Sequence, residues 1–234
     1  LGGMPFILYF QMVTGRPLSL FRDSQVRWYL SILFITIVTV AAFLVVNMDM
    51  TISHALRRAS FNAVSLMTGT GFASGNYNNW GGFVGAVFFF LMVVGGCAGS
   101  TSCGIKVFRF QILFSISLSQ LKKLIHPNGV FRAHYNRRSI SEDVMTSVMS
   151  FFFLYALSFS LLCVALSFTG LDFLTAMSGA ASSISNVGPG LGEIIGPAGN
   201  YSTLPDSSKW ILTAGMIVGR LEIFTLLVLF LPHF

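Results

Sequence analysis

Residues 60–74 read SFNAVSLMTGTGFAS, and residues 173–190 read FLTAMSGAASSISNVGPG. Each belongs to a moderately apolar, helix-forming run, Ala55–Met67 in the first case and Phe173–Ile184 in the second. Both runs are too short for the roughly 20 residues that a bilayer crossing needs. Each then enters a glycine turn, Thr68-Gly69-Thr70-Gly71-Phe72 or Ser185-Asn186-Val187-Gly188-Pro189-Gly190. A half-length helix followed by extended backbone is the pattern of a re-entrant pore segment. Non-helical backbone at membrane depth persists only where protein buries it or where it lines a water-filled cavity. Glycine admits the φ values that aim successive carbonyls one way, and rings of such carbonyls can replace a cation's hydration shell. A single Thr-Gly-Thr-Gly would read as an ordinary interhelical loop; two such turns, each behind a half-span, favour an ion path.

The surroundings fit a membrane. Only 9% of the 234 residues are charged, against 54% hydrophobic and 24 phenylalanines, whereas soluble domains carry about 25% charge. Long apolar segments run over Trp28–Val46, Trp80–Leu118, Val144–Phe168 and Trp210–Leu231, and Leu1–Met12 reads as the end of a preceding span. Ten of the fourteen Lys and Arg fall in two stretches, Gly15–Arg27 and Lys106–Asp143. Two spans separate these stretches, so the positive-inside rule makes both cytoplasmic, and the re-entrant segments enter from outside. The net charge of +6 is therefore a topology signal, with contact to lipid or a protein partner second and no nucleic-acid partner expected. Shifting the chain by 117 positions overlays Gly71 on Gly188, Thr68 on Ser185, Ala63 on Ala180, Trp28–Val46 on Met145–Cys163, and Cys103 on Arg220. The order span, half-span, turn, span occurs twice in the same orientation, as in a parallel repeat. The expected fold is an all-α integral membrane protein of two parallel span–pore-loop–span repeats.

Two further features carry chemistry. Gly95, Gly96, Gly99 and Gly104, with Ser100, Thr101 and Ser102, break the second segment with poor helix formers. That reads either as close helix packing through small residues or as a flexible barrier, with Lys106 at its edge to snorkel or to anchor the loop. Arg220 lies inside the fourth segment, where an ionisable group costs at least about 2.5 kcal/mol and is usually paired or functional. Glu222, two residues on, does not share its helical face. Cys97, Cys103 and Cys163 read as buried free thiols, and His54, His126, His134 and His233 lack metal-site spacing. Trp28, Trp80 and Trp210 sit at span ends like interfacial anchors. The phenylalanine runs 88–90 and 151–153 read as facing lipid or packing partners.

Residues 60–74, the stretch Ile184–Gly192 and the loop Gly95–Lys106 resemble the third pore segment, the fourth pore segment and the intramembrane loop of the Trk-type potassium transporters. These belong to the wider Trk, Ktr and HKT group, built from four span–pore–span repeats around one ion path. The resemblance covers essentially the whole chain. It implies residues 1–27 as the end of a preceding transmembrane helix with a cytoplasmic linker. Residues 28–143 would be the third repeat with its cytoplasmic connector, and residues 144–234 the fourth. It implies a selectivity filter at Thr68, Gly69, Thr70, Gly71, Phe72, Ser185, Asn186, Val187, Gly188 and Pro189, with K⁺ on the backbone oxygens of Thr68, Gly69, Thr70, Asn186 and Val187. It implies a gate made of Gly95, Gly96, Gly99, Ser100, Thr101, Ser102, Gly104, Lys106 and Arg220. The implied setting is the bacterial inner membrane, multi-pass, in a homodimer with a cytosolic nucleotide-binding regulatory ring of the TrkA type. The transported K⁺ is the only ligand expected, without an organic cofactor, and its movement is passive or coupled. Two pore loops cannot close a fourfold ring, so either the two N-terminal repeats of the same protein complete it or two copies pair, and the first is favoured. The main alternative is a secondary transporter with discontinuous helices for a small solute, which would call for an inverted repeat. An enzyme is not expected: no HExxH or GxSxG motif is present.

Overall fold

The computed structural model describes residues 2–16, 18–136 and 138–221. The expectations placed on Arg137, Glu222, His233 and the far part of Trp210–Leu231 lie outside the described residues.

Helices α1 (Phe6–Val13) and α2 (Ser19–Arg22) lead into α3 (Ser24–Met48). The Asp23 carboxylate starts α3 by accepting hydrogen bonds from the amides of Gln25 (2.8 Å) and Val26 (3.2 Å), satisfying donors that the first turn leaves unpaired. Asp49, at φ 49°, ends it. Helix α4 (Ile52–Thr68) follows, then a 3₁₀ turn at Tyr77–Trp80, α5 (Gly82–Val93) and α6 (Val107–Ile125). A small antiparallel hairpin, β1 (His134–Tyr135) with β2 (Arg138–Ser139), lies against α6. Helix α7 (Glu142–Phe168) comes next, with two carboxylates in its first turn, the end where the helix dipole favours negative charge. Then come α8 (Phe173–Ser185), α9 (Gly192–Ile195), a 3₁₀ turn at Tyr201–Thr203 and α10 (Asp206–Arg220).

Helices α3 and α7, of 25 and 27 residues, are long and apolar enough to cross a membrane. At 1.5 Å per residue they reach about 37 and 40 Å against a hydrocarbon core of about 30 Å. Helices α4 and α8, of 17 and 13 residues, reach only about 26 and 20 Å. The sequence segments begin or end a few residues away from the helices. Asp23 and Thr51 cap earlier than hydropathy alone indicates, because a capping residue and a polar first turn belong to the helix without being apolar.

The largest apolar core joins α3, α4 and α5 through Val26, Tyr29, Leu44, Ala59, Ala63, Leu66, Met67 and Phe88, and it also takes in Val187 and Leu191 from beyond α8. Trp80 departs from its expected role at an interface. It is only 4% exposed and packs edge-on with Tyr77 and Phe88, whose own ring centroids stand 5.1 Å apart. Trp28 and Trp210 are exposed. The phenylalanine runs split by face: Phe88 and Phe151 are buried, while Phe90 and Phe153 are exposed.

Asp23→Ala in the full-length protein is expected to cost about 1 kcal/mol of stability, read as a lower thermal unfolding midpoint in detergent.

Candidate functional site: two glycine turns and a broken helix

Helices α4 and α8 end in the same way. The amides of Gly69 and Thr70 donate to the carbonyls of Leu66 (3.1 Å) and Ser65 (3.0 Å); those of Asn186 and Val187 donate to Ser183 (3.1 Å) and Ser182 (3.0 Å). Every residue in the second set lies 117 positions after its counterpart in the first. The capping residues are left-handed, Gly69 at φ 70° and Asn186 at φ 50°; Asn tolerates that region better than most residues. Two residues further on, Gly71 (φ 78°) and Gly188 (φ 113°) are left-handed again.

The two turns meet. A Cβ on Gly71 would stand 2.3 Å from the carbonyl oxygen of Val187, and one on Gly188 would lie 3.6 Å from the Gly71 Cα. Gly71 is thus fixed as glycine twice, by its φ and by the backbone against it. Both half-length helices deliver their C-terminal ends to this junction. The negative end of each helix dipole, equivalent to about half a charge, favours a cation there.

Polar side chains, of which Asn62, Ser178 and Ser182 are buried, hold the turns from behind. Asn62 donates to the Arg58 carbonyl (2.8 Å) and to Ser74 Oγ (2.9 Å), and accepts from the Ser74 amide (3.1 Å). Ser182 Oγ accepts from the Gly188 amide (3.1 Å), and Tyr201 donates its hydroxyl to the Gly188 carbonyl (2.5 Å). Ser178 Oγ bonds both the amide and the carbonyl of Leu191. Asn78 joins the two halves, donating to the Gly192 carbonyl and accepting from the Gly192 amide. At the start of α8, hydrogen bonds from Thr175 hold the capping Asp172 carboxyl below its ordinary value of 3.8. Its contribution is therefore complete above about pH 3.8 and is lost only as pH falls through the lower folded-state value.

Helix α10 closes on the end of α8 through Gly215 and Gly219. A Cβ on Gly219 would stand 1.8 Å from the Ile184 carbonyl oxygen, and one on Gly215 would stand 2.8 Å from Ser183 Oγ. Asn186 Nδ2 adds a hydrogen bond to the Met216 carbonyl (3.0 Å).

The break in the second segment is a closed loop, residues 94–106. Val94 and Ile105 form a parallel bridge, with Ile105 N donating to Val93 O and Gly95 N to Ile105 O, both at 3.0 Å. The loop is therefore pinched at its neck, and α6 resumes directly after it. Arg220 Nη1 donates to the Thr101 carbonyl (3.0 Å) and lies 3.5 Å from Cys103 Sγ. The structure thus brings Arg220 onto the loop, across a cavity of about 350 Å³ lined by Ser100–Gly104, Lys106, Arg109, Tyr155 and Ile184 among others. Arg109 stacks over the Phe151 ring at 3.7 Å, and Tyr155 bonds Ser185 Oγ at 2.8 Å. Phe72 points away, 71% exposed. The uniform shift of 117 does not extend this far. Helix α10 starts 124 positions after α5, and the 3₁₀ turn at Tyr201 likewise lies 124 after that at Tyr77, because α9 lies between the glycine turn and the 3₁₀ turn only in the second half, so Cys103 and Arg220 are contact partners and not structural counterparts.

Sequence reasoning missed Tyr201, Asn78, Ser178, Ser182 and the Gly215–Gly219 pair. The last had a signal, since small residues four apart mark close helix contacts in membranes. The others are polar residues whose partners lie across a turn or in the other copy, and no local pattern announces them.

A family model described as TrkH, cation transport protein, matches residues 7–233. The chain belongs to this family. It is 46% identical to the Trk system potassium uptake protein TrkI of Halomonas elongata, covering 100% of this chain and 47% of that protein. It is 35% identical to the Trk system potassium uptake protein TrkH of Escherichia coli K12, over 100% of this chain and 48% of that protein. The crystal structure of the potassium transporter TrkH from Vibrio parahaemolyticus superposes with a TM-score of 0.90 at 34% identity, over 97% of this chain and 49% of that one. The chain thus spans about half the length of the TrkH-family relatives it matches.

Gly219→Ala is expected to destabilise by about 1–3 kcal/mol through overpacking against backbone. Gly215→Ala should cost less, because it meets a hydroxyl that can rotate away. Thermal unfolding of the purified full-length variants ranks the two.

Proposed function

We propose that this chain forms half of the ion path of a bacterial inner-membrane potassium uptake protein, with two parallel span–pore-loop–span repeats. The observation that carries the reading is the contact of the two left-handed turns at Gly71 and Gly188, each at the C-terminal end of a helix too short to span. The carbonyls of Thr68, Gly69, Thr70, Asn186 and Val187 are the ligands for dehydrated K⁺, with the remaining residues of both turns as their frame. Two further repeats of the same protein supply the other half. The open side of α4 supports this: a cavity of about 500 Å³ beside Thr68 and Thr70 adjoins Ser65 Oγ, which is buried without a hydrogen-bond partner among the described residues.

Below the filter, the loop 94–106 obstructs the path, and the guanidinium of Arg220 both tethers it and limits ion occupancy in the cavity. The assembly is a homodimer in lipid. Lys122, Lys123, Arg132 and Arg138, on α6 and the hairpin, face a cytosolic nucleotide-binding regulator of the TrkA type.

The test is ⁸⁶Rb⁺ flux into proteoliposomes carrying the full-length protein, with and without Gly188→Asp. A flux competed by K⁺ and abolished by the substitution is expected. Flux unchanged by Gly188→Asp would make the turn an ordinary loop and bring a solute carrier with discontinuous helices forward.

A further inference from the structure

The two halves carry the same three residues around their turns and tie them differently. Ser65 and Ser182 lie 117 positions apart, as do Gly71 and Gly188, and Tyr77 and Tyr201 open the two 3₁₀ turns. In the second half the three close on one another. Ser182 Oγ accepts from the Gly188 amide (3.1 Å), and the Tyr201 hydroxyl donates to the Gly188 carbonyl (2.5 Å). In the first half they do not. The Gly71 amide turns to the Ser65 carbonyl (3.4 Å), Ser65 Oγ is buried without a partner among the described residues, and Tyr77 sends its hydroxyl across to the Gly190 carbonyl (3.5 Å).

The two tied groups of Gly188 belong to different peptide units. Its N–H shares a plane with the Val187 carbonyl, and in a trans peptide the two point opposite ways. Holding that N–H on Ser182 therefore aims the Val187 oxygen away from α8, to the side where Gly71 stands: a Cβ on Gly71 would lie 2.3 Å from that oxygen. The Gly188 carbonyl belongs to the next unit. The nitrogen of that unit is Pro189, which has no hydrogen to donate, so the carbonyl is the only handle by which a hydrogen bond can hold it. Tyr201 takes that handle. Space does not do this work at Gly188, where a Cβ would meet nothing nearer than the Gly71 Cα at 3.6 Å. A glycine at φ 113° with room beside it can turn its peptide units over. A turned 187–188 unit would present an N–H to the ion path in place of an oxygen.

We infer that Ser182 and Tyr201 are positioning residues for ion selection, which clamp Gly188 at both of its peptide units and thereby keep the Val187 carbonyl aimed at the ion. Discrimination between K⁺ and Na⁺ depends on the number and placing of the carbonyls around the ion, and this clamp fixes both for the second turn. Tyr77, the counterpart of Tyr201, has no such part, because its hydroxyl holds a carbonyl beyond the turn's ion-facing residues. The inference rests on the reading of Val187 as an ion ligand.

The experiment measures ⁸⁶Rb⁺ and ²²Na⁺ uptake by the full-length protein in proteoliposomes, for the parent and for Ser182→Ala, Tyr201→Phe, Tyr77→Phe and Gly188→Asp. The ratio of the two fluxes is the readout, because a variant that merely folds less well lowers both fluxes and leaves their ratio alone. Ser182→Ala and Tyr201→Phe should each lower the Rb⁺/Na⁺ ratio by at least about fivefold, the effect of losing one buried hydrogen bond. Each should also raise the KM for Rb⁺. Tyr77→Phe, which loses a hydroxyl of the same kind, should keep the ratio within about twofold. An unchanged ratio in both clamp variants, with flux abolished by Gly188→Asp, would overturn the clamp and leave the filter reading standing. A ratio lowered as much by Tyr77→Phe would overturn it too, by showing a general loosening. Flux unchanged by Gly188→Asp would overturn the filter reading and the clamp together.

Discussion

The approach of Gly71 to the Val187 carbonyl is the constraint from which the arrangement follows. Two stretches of backbone meet where Gly71 has no room for a Cβ, and both Gly71 and Gly188 need left-handed φ to get there. Only glycine meets these demands cheaply, and the demand then propagates backward. Each turn must leave its helix at a fixed angle, which the left-handed caps at Gly69 and Asn186 set. Each helix must stop short of a full crossing, which Thr68 and Ser185 mark. The dipole ends of both helices then converge on one point, which is what a cation site in a low-dielectric setting requires.

Backbone that is neither helix nor sheet must find its hydrogen bonds elsewhere when water is scarce. The structure meets this with small polar side chains placed behind the turns: Asn62 and Ser74 on one side, Ser182, Ser178 and Tyr201 on the other, and Asn78 between them. The broken helix applies the same rule in another way. Its loop is pinched at Val94 and Ile105, so the two helical pieces remain joined while the loop reaches into the cavity. There its carbonyls are taken up by Lys106 and Arg220 in place of water.

The outline of all this is written in the chain. Hydropathy separates four long apolar segments from two short runs, because a crossing needs a length that Ala55–Met67 and Phe173–Ile184 lack, and two of the four, α3 and α7, are unbroken helices long enough to cross. The glycine turns announce themselves by composition, and their spacing of 117 is matched by hydrogen bonds at equivalent positions. Arg220 stands out because charge inside an apolar run is costly. Other features are not local. Trp80 lies at the end of an apolar segment yet packs inward with Tyr77 and Phe88, since the 3₁₀ turn rotates it to the core. The spacing fails after the turns because the α9 segment lengthens the second half, which hydropathy cannot register. Asn78 and Tyr201 act on residues more than ten positions away, through contacts that exist only once both turns are in place.

The proposed ion path requires that one dehydrated cation be shared between the two glycine turns. Anomalous diffraction from Rb⁺ in crystals of the full-length protein tests this most directly. A peak about 3 Å from the carbonyl oxygens of both Thr68–Thr70 and Asn186–Val187, reduced by added K⁺, is the predicted result. Rb⁺ density away from both turns, or coordinated by side-chain carboxylates elsewhere, would contradict it.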